Sequence, residues 1–285
     1  MKRFTILTIV AALLILAFPA VAGAQARINT KRVRIADIST RTTKVVLGGN
    51  DITDSALKEE VSARWRISPY EFCTSEEYNS IKESTDYYFL LIARSTEKKY
   101  DGILTLTLMK GGKYGAQDPM MRPVDVVSLP FCSTQFPSGR EMAFLPAFLD
   151  IIQDYASKAA ISDKAGYAGL EIYTKKIART GHKKILFCED DAAPVMDPVF
   201  RRKHFDEDMM VVDEGTADGA IVEGTYNTLV SFTVAPFDPQ AGSVCYKMLV
   251  DAGSHELYYF KRHKISAKKW AGFLPKDIKV ISAAR

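Results

Sequence analysis

Apolar and polar positions along this chain change period several times, and each change marks an element. Phe4 to Phe18 is almost wholly apolar after the basic start Met1-Lys2-Arg3. Pro19 closes the run before the small residues Ala20 to Ala26. That order of basic, apolar and small-residue segments predicts a cleavable signal peptide over residues 1–24, cut after Ala24. The run approaches the roughly 20 apolar residues that span a bilayer, so an uncleaved anchor is the competing reading. The proline and the small residues that follow favour cleavage. The first cysteine is Cys73, so none stands at the cleavage point to take a lipid. The expectation is a periplasmic or secreted protein that is not a lipoprotein, with no transmembrane segment in residues 25–285.

Residues 25–42 are polar, punctuated by Arg and Lys, and read as a tether or an edge strand. Val45-Val46-Leu47 before Gly48-Gly49 reads as a buried strand and turn. Thr53 or Asp54 can cap a helix with Ala56, Leu57, Val61 and Trp65 at helical spacing. Arg66 to Phe72 is extended, with Pro69 indicating an edge. Thr74-Ser75-Glu76-Glu77 opens a second helix. Tyr87 to Ile92 is a dense β-type run. Ile103-Leu104-Thr105-Leu106-Thr107-Leu108 alternates like a strand with one wetted face. Val126 to Cys132 is a further apolar run.

Gly139 to Ala160 has the wide apolar face of a buried helix, with Pro146 suited to a first turn. A second helix is predicted from Ser162 or Asp163 to about Gly181. The first pattern then returns. Strands are predicted at 184–187, 209–212 and 227–235, helices around 195–205 and 216–223, and a hairpin over 243–263. The two patterns register without gaps when Lys44 is laid on Lys184, so the order of elements points to an internal duplication. Strand-helix-strand units favour parallel pairing with helices on the faces. The fold class expected is therefore α/β, with two similar β-α-β-α-β-β modules built on mixed sheets. They span 43–135 and 182–285 and are joined by bridging helices over 136–181.

Composition changes this picture little. An apolar fraction of 47% and a charged fraction of 25% are those of an ordinary globular chain. The net charge of +4 falls to +2 once Lys2 and Arg3 are removed, which gives no case for nucleic acid as a partner. Cys73, Cys132, Cys188 and Cys245 form no C-x-x-C pair and read as buried thiols, with two disulfides as the alternative. No G-x-S-x-G or H-E-x-x-H pattern occurs. His255 reads as a turn histidine. Gly111 to Gly115 lacks the G-K-[ST] of a phosphate loop.

The best candidate for chemistry is Glu189-Asp190-Asp191, at the carboxyl end of a strand, where α/β sheets place ligands. Asn50 and Asp51 hold the related place in the first module. Acids there could hold Ca²⁺ or Mg²⁺ through oxygen, or serve as a general base. The alternative is loop and helix-capping chemistry.

The run Ser68-Pro69-Tyr70-Glu71-Phe72-Cys73 after the helix ending at Trp65, then Asp86-Tyr87-Tyr88-Phe89 and the hairpin Cys245-Tyr246-Lys247 to Tyr258-Tyr259, resembles uncharacterised exported proteins of Gram-negative anaerobes. That resemblance implies no activity and carries no residue roles. The leading expectation is a non-enzymatic protein that binds a small molecule or an envelope protein, with a cleft between the modules as the natural site. The alternatives are a hydrolase or metal-dependent enzyme using the acids after the 185–188 strand, and an assembly subunit.

Overall fold

The computed structural model describes residues 30–192 and 197–284. The predicted signal peptide, and the predicted start of a helix near Val195, lie outside the described residues. Where residues 25–42 read as a tether or edge strand, Lys31–Arg34 forms one helical turn, α1. Ile35 and Ile38 follow it into the core. The segment is tied down by Lys31, which donates to Val126 O at 2.7 Å. Lys110 adds donations to Arg34 O and to both Asp37 oxygens.

The first sheet takes β1 (Thr42–Leu47), β2 (Tyr70–Thr74), β3 (Tyr87–Arg94), β4 (Ile103–Lys110) and β5 (Val124–Ser133) in the order β2-β1-β3-β4-β5. The second takes β6 (Lys184–Cys188), β7 (Met209–Val212), β8 (Thr228–Val234), β9 (Val244–Asp251) and β10 (Leu257–Lys264) in the order β7-β6-β8-β9-β10. In each sheet the first strand pairs in parallel with the second and third, and the last two run antiparallel. Two similar α/β modules are therefore present, each closing with the fifth strand that the Val126 to Cys132 run and the hairpin over 243–263 indicated beyond the β-α-β-α-β-β core. Their crossover helices are α2 (Asp51–Arg64) and α3 (Ser75–Ile81), then α6 (Pro198–His204) and α7 (Glu214–Val222).

The likeness reaches single backbone positions. Thr43 donates its N–H to Pro69 O at 2.8 Å, and Ile185 does the same to Asp208 O at 2.7 Å. Thr43 therefore corresponds to Ile185, two residues from the gapless register that lays Lys44 on Lys184. An even shift keeps every side chain on its own face, which is why the apolar pattern conceals it. The last strand of each module carries a bulge at the same place, Val126 in one and Tyr258 in the other.

Between the modules runs α4 (Arg140–Ile161), followed by α5 (Asp163–Ala168) and a 3-10 stretch, Gly169–Arg179. Pro146 lies inside α4, beyond the first turn that suits it, and leaves Met142 O without its usual helical donor. Phe144 and Phe148 of α4 pack with Phe131 of β5 and Phe232 of β8. One continuous core thus joins both sheets.

The two sheets meet this core with opposite faces. Sheet 1 presents the face that carries α2, and sheet 2 the face that carries α7. The far side of sheet 2 is covered by α6 and by α8 (Pro275–Ala283), a helix with no sequence prediction. Among the described residues, the far side of sheet 1 has only the helix α3. The modules therefore stack front to back. Among the described residues no helix is long and apolar enough to cross a membrane.

Candidate functional site

The acidic turn is dispersed by the fold. Glu189 and Asp190 are exposed, while Asp191 is 2% exposed. The Asp191 carboxylate accepts from Arg140 Nη1 at 3.0 Å, Ser231 Oγ at 2.5 Å and Thr233 Oγ1 at 2.7 Å. Arg140 comes from the first turn of α4 and also donates to Asp218 and to Ser231 O. Burial works against the Arg140 charge, but Asp191 and Asp218 outweigh it and hold its pKa above the ordinary value.

The turn is closed from outside as well. Phe273 N–H donates to Asp191 O at 2.7 Å. Gly272, at φ +98°, passes so close that a Cβ there would stand 2.5 Å from that oxygen. The crevice at the carboxyl end of β6 is thus occupied by an arginine of the chain itself. Among the described residues no three His, Cys, Asp or Glu side chains are grouped to hold a metal ion.

Asn50 and Asp51 are exposed. Asn50 caps α2 by accepting from Thr53 N–H at 3.0 Å. Asp54, one of the two caps suggested by sequence, instead accepts from the N–H groups of Gly48 and Gly49. The four cysteines are buried and unpaired. Burial pushes Cys132 up to about 12 and Cys245 up to about 11, far from the lowered pKa of a reactive thiolate.

A groove between the modules has a volume of about 520 Å³. His255, at φ +58°, brings its Nδ1 within 2.7 Å of Asp150 Oδ2. Arg64 of α2 reaches the same carboxylate at 3.4 Å. Among the described residues, no serine, threonine or cysteine is hydrogen-bonded to the His255 ring.

A cleft of about 600 Å³ lies on the far face of sheet 1. Its floor is a ladder of hydroxyls. Ser128 Oγ donates to both Asp125 oxygens at 3.0 and 3.1 Å, and Thr107 Oγ1 donates to Ser128 Oγ at 3.1 Å. Thr105 Oγ1 lies 2.9 Å from Thr107 Oγ1 and 3.3 Å from Ala93 O. Asp125 and Ser128 share this face because of the bulge at Val126, without which residues three apart in a strand would point to opposite sides. The freed carbonyl of Val126 is the one that Lys31 caps. Asp125 is exposed on this face, and desolvation by the neighbouring chain still pushes its carboxyl above the ordinary range, against the pull of Ser128 and Lys31.

Strand pairing shows what holds these positions in the second module. Thr105, Thr107, Asp125 and Ser128 correspond to Tyr246, Met248, Leu257 and Phe260. That apolar set is buried in the shared core, whereas on sheet 1 Asp125 is exposed, Thr107 and Ser128 are half-buried and only Thr105 is buried. The T-L-T alternation of β4 announces the wetted face. Nothing in the sequence announces the bulge that adds Asp125 to it. Comparison with protein-family models, with curated proteins and with solved structures gives no match.

Proposed function

We propose that this is a non-enzymatic ligand-binding protein of the periplasm or cell envelope, and that the open face of sheet 1 is its binding surface. One observation carries the reading: identical strand positions are apolar and covered in one module but hydroxyl-rich, acidic and concave in the other. The compartment rests on the leader-like segment at residues 1–24 and on the resemblance to exported proteins.

The test is thermal melting of residues 25–285 with small-molecule fractions of a bacterial envelope extract. A ligand at a hundred times its Kd adds about 2.7 kcal/mol of stability. The expected result is a fraction that raises the Tm of the wild type but not that of Ser128→Phe, which fills the cleft with the residue sheet 2 carries there. No shift with any fraction, or an equal shift in both proteins, overturns the reading.

A second reading, hydrolysis, draws on His255, since a carboxylate bound to one ring nitrogen orients the other as a base. The acids after β6 support it poorly, because the Asp191 oxygens are already engaged. Ester, phosphoester or glycoside cleavage that disappears in His255→Ala would install this reading in place of the first.

A further inference from the structure

We infer that the cleft on sheet 1 takes a neutral saccharide, whose hydroxyls donate to Asp125, Ser128 and Thr107 across its floor. This rests on the reading of that face as the binding site. The inference comes from counting protons. A hydroxyl has one proton and two lone pairs. The Ser128 proton is committed to Asp125 and the Thr107 proton to Ser128. The Thr105 proton goes to Thr107 or to Ala93 O. Every hydroxyl proton of the ladder is thus spent inside the protein, and the half-buried Thr107 and Ser128 oxygens are left to accept from a ligand. Asp125 adds a carboxylate whose one hydrogen-bonding partner among the described residues is Ser128. The polar part of the floor, set among Leu91, Ala93 and Met109, thus offers acceptors and is complementary to a ligand that has both donors and C–H surface.

Charge then separates the donor-rich ligands. Asp125, Glu83 and Glu97 line the cleft, but so do Lys82 and Arg94. Lys31 stands behind the floor on Val126 O, and Lys99 pairs with Glu97 at 2.6 Å. With its acids matched by bases, the site offers a polyamine no net attraction. The rim supplies what a sugar also needs, donors from Arg94 and Lys82 for its ring and hydroxyl oxygens. Tyr78 and the exposed Tyr114 add aromatic faces for its C–H surface. The volume of about 600 Å³ lies within the range of small-molecule sites. A surface that merely ended the stack of sheets would need polar residues, but no concavity.

Calorimetric titration of residues 25–285 tests this, using short neutral oligosaccharides built from glucose, galactose or N-acetylglucosamine, with spermidine as the cationic comparison. At least one saccharide is expected to bind, and spermidine is not. Thr107→Val and Ser128→Ala should each weaken that saccharide by roughly three- to tenfold, the range of a lost hydrogen bond. Asp125→Asn should weaken it by about tenfold or more, by turning an acceptor toward donors. The same substitution should leave Tm nearly unchanged, because residue 125 is exposed and an Asn oxygen there can still accept from Ser128. A purely structural Asp125 would instead lose Tm. The inference falls if no saccharide binds, if spermidine binds in their place, or if all three variants keep full affinity. Should the saccharides fail while an envelope fraction still shifts wild type and not Ser128→Phe, the ligand class is wrong and the site stands. Should both fail, the site falls with it.

Discussion

Asp191 and Arg140 are 2% and 5% exposed, and at that depth a charge survives only in company. The acid was legible in the sequence as one of three after a strand. Its partner was not, because Arg140 lies 51 residues away, at the start of a helix whose pattern shows only an apolar face. Removing one member of a buried pair strands the other, at a cost of about 3–5 kcal/mol. Asp191→Ala is expected to lose that much in urea denaturation, and neither Ca²⁺ nor Mg²⁺ should move the wild-type Tm.

Three other aspartates set the response to acid. Burial raises Asp37, Asp251 and Asp277, but hydrogen bonds and charge from Lys110, Lys183 and Lys247 outweigh it and leave all three below the ordinary carboxylate range. A depressed folded pKa means that the unfolded chain takes up protons first as pH falls. Their stabilisation is therefore complete above about pH 4 and is lost as pH drops through the folded values. The urea midpoint should fall steeply on acidification. In Asp37→Asn it should start lower at neutral pH and fall less.

At the scale of elements, alternation and helical spacing located most strands and helices, because each buries one face. The cap of α2 shows where such reading slips. Asn50, Asp51, Thr53 and Asp54 are all capping types, and only the backbone decides among them. Asn50→Ala is expected to cost about 1 kcal/mol with no change in ligand binding, which a melting and titration pair would check. The short α6 follows from Pro198 at its first turn, capped by Asp197. The helix α8 went unread although Pro275, Asp277, Ile278 and Ile281 carry the signals of a start and an apolar stripe. The bulge in β5 is the deeper omission. It costs one residue, leaves an apolar run apolar, and moves Asp125 to the face where it lines a cleft.

For the whole molecule, α4 makes the two modules one thermodynamic body. Phe148 touches residues of both sheets through Phe131 and Phe232, so calorimetry should show a single unfolding transition. Phe148→Ala should lower it as a unit by about 3–5 kcal/mol. The repetition of one pattern was legible in the order of elements, whereas the way the copies face each other was not. Pattern alone says which side of a strand is apolar, and in sheet 1 both sides are largely apolar around β1 and β3.

Stacking front to back gives the molecule a direction. A twofold arrangement would hide matching faces against each other and close. This one leaves unlike surfaces at its two ends, the open sheet face and the α6–α8 layer with exposed Lys276 and Lys279. Unlike ends that can meet propagate without limit, as the terminal repeats of solenoids must prevent. Polar hydroxyls and a carboxylate on sheet 1 would oppose such growth. Replacing Thr107, Asp125 and Ser128 by the Met, Leu and Phe of sheet 2 should convert a discrete particle into linear fibres, visible as a concentration-dependent rise in light scattering.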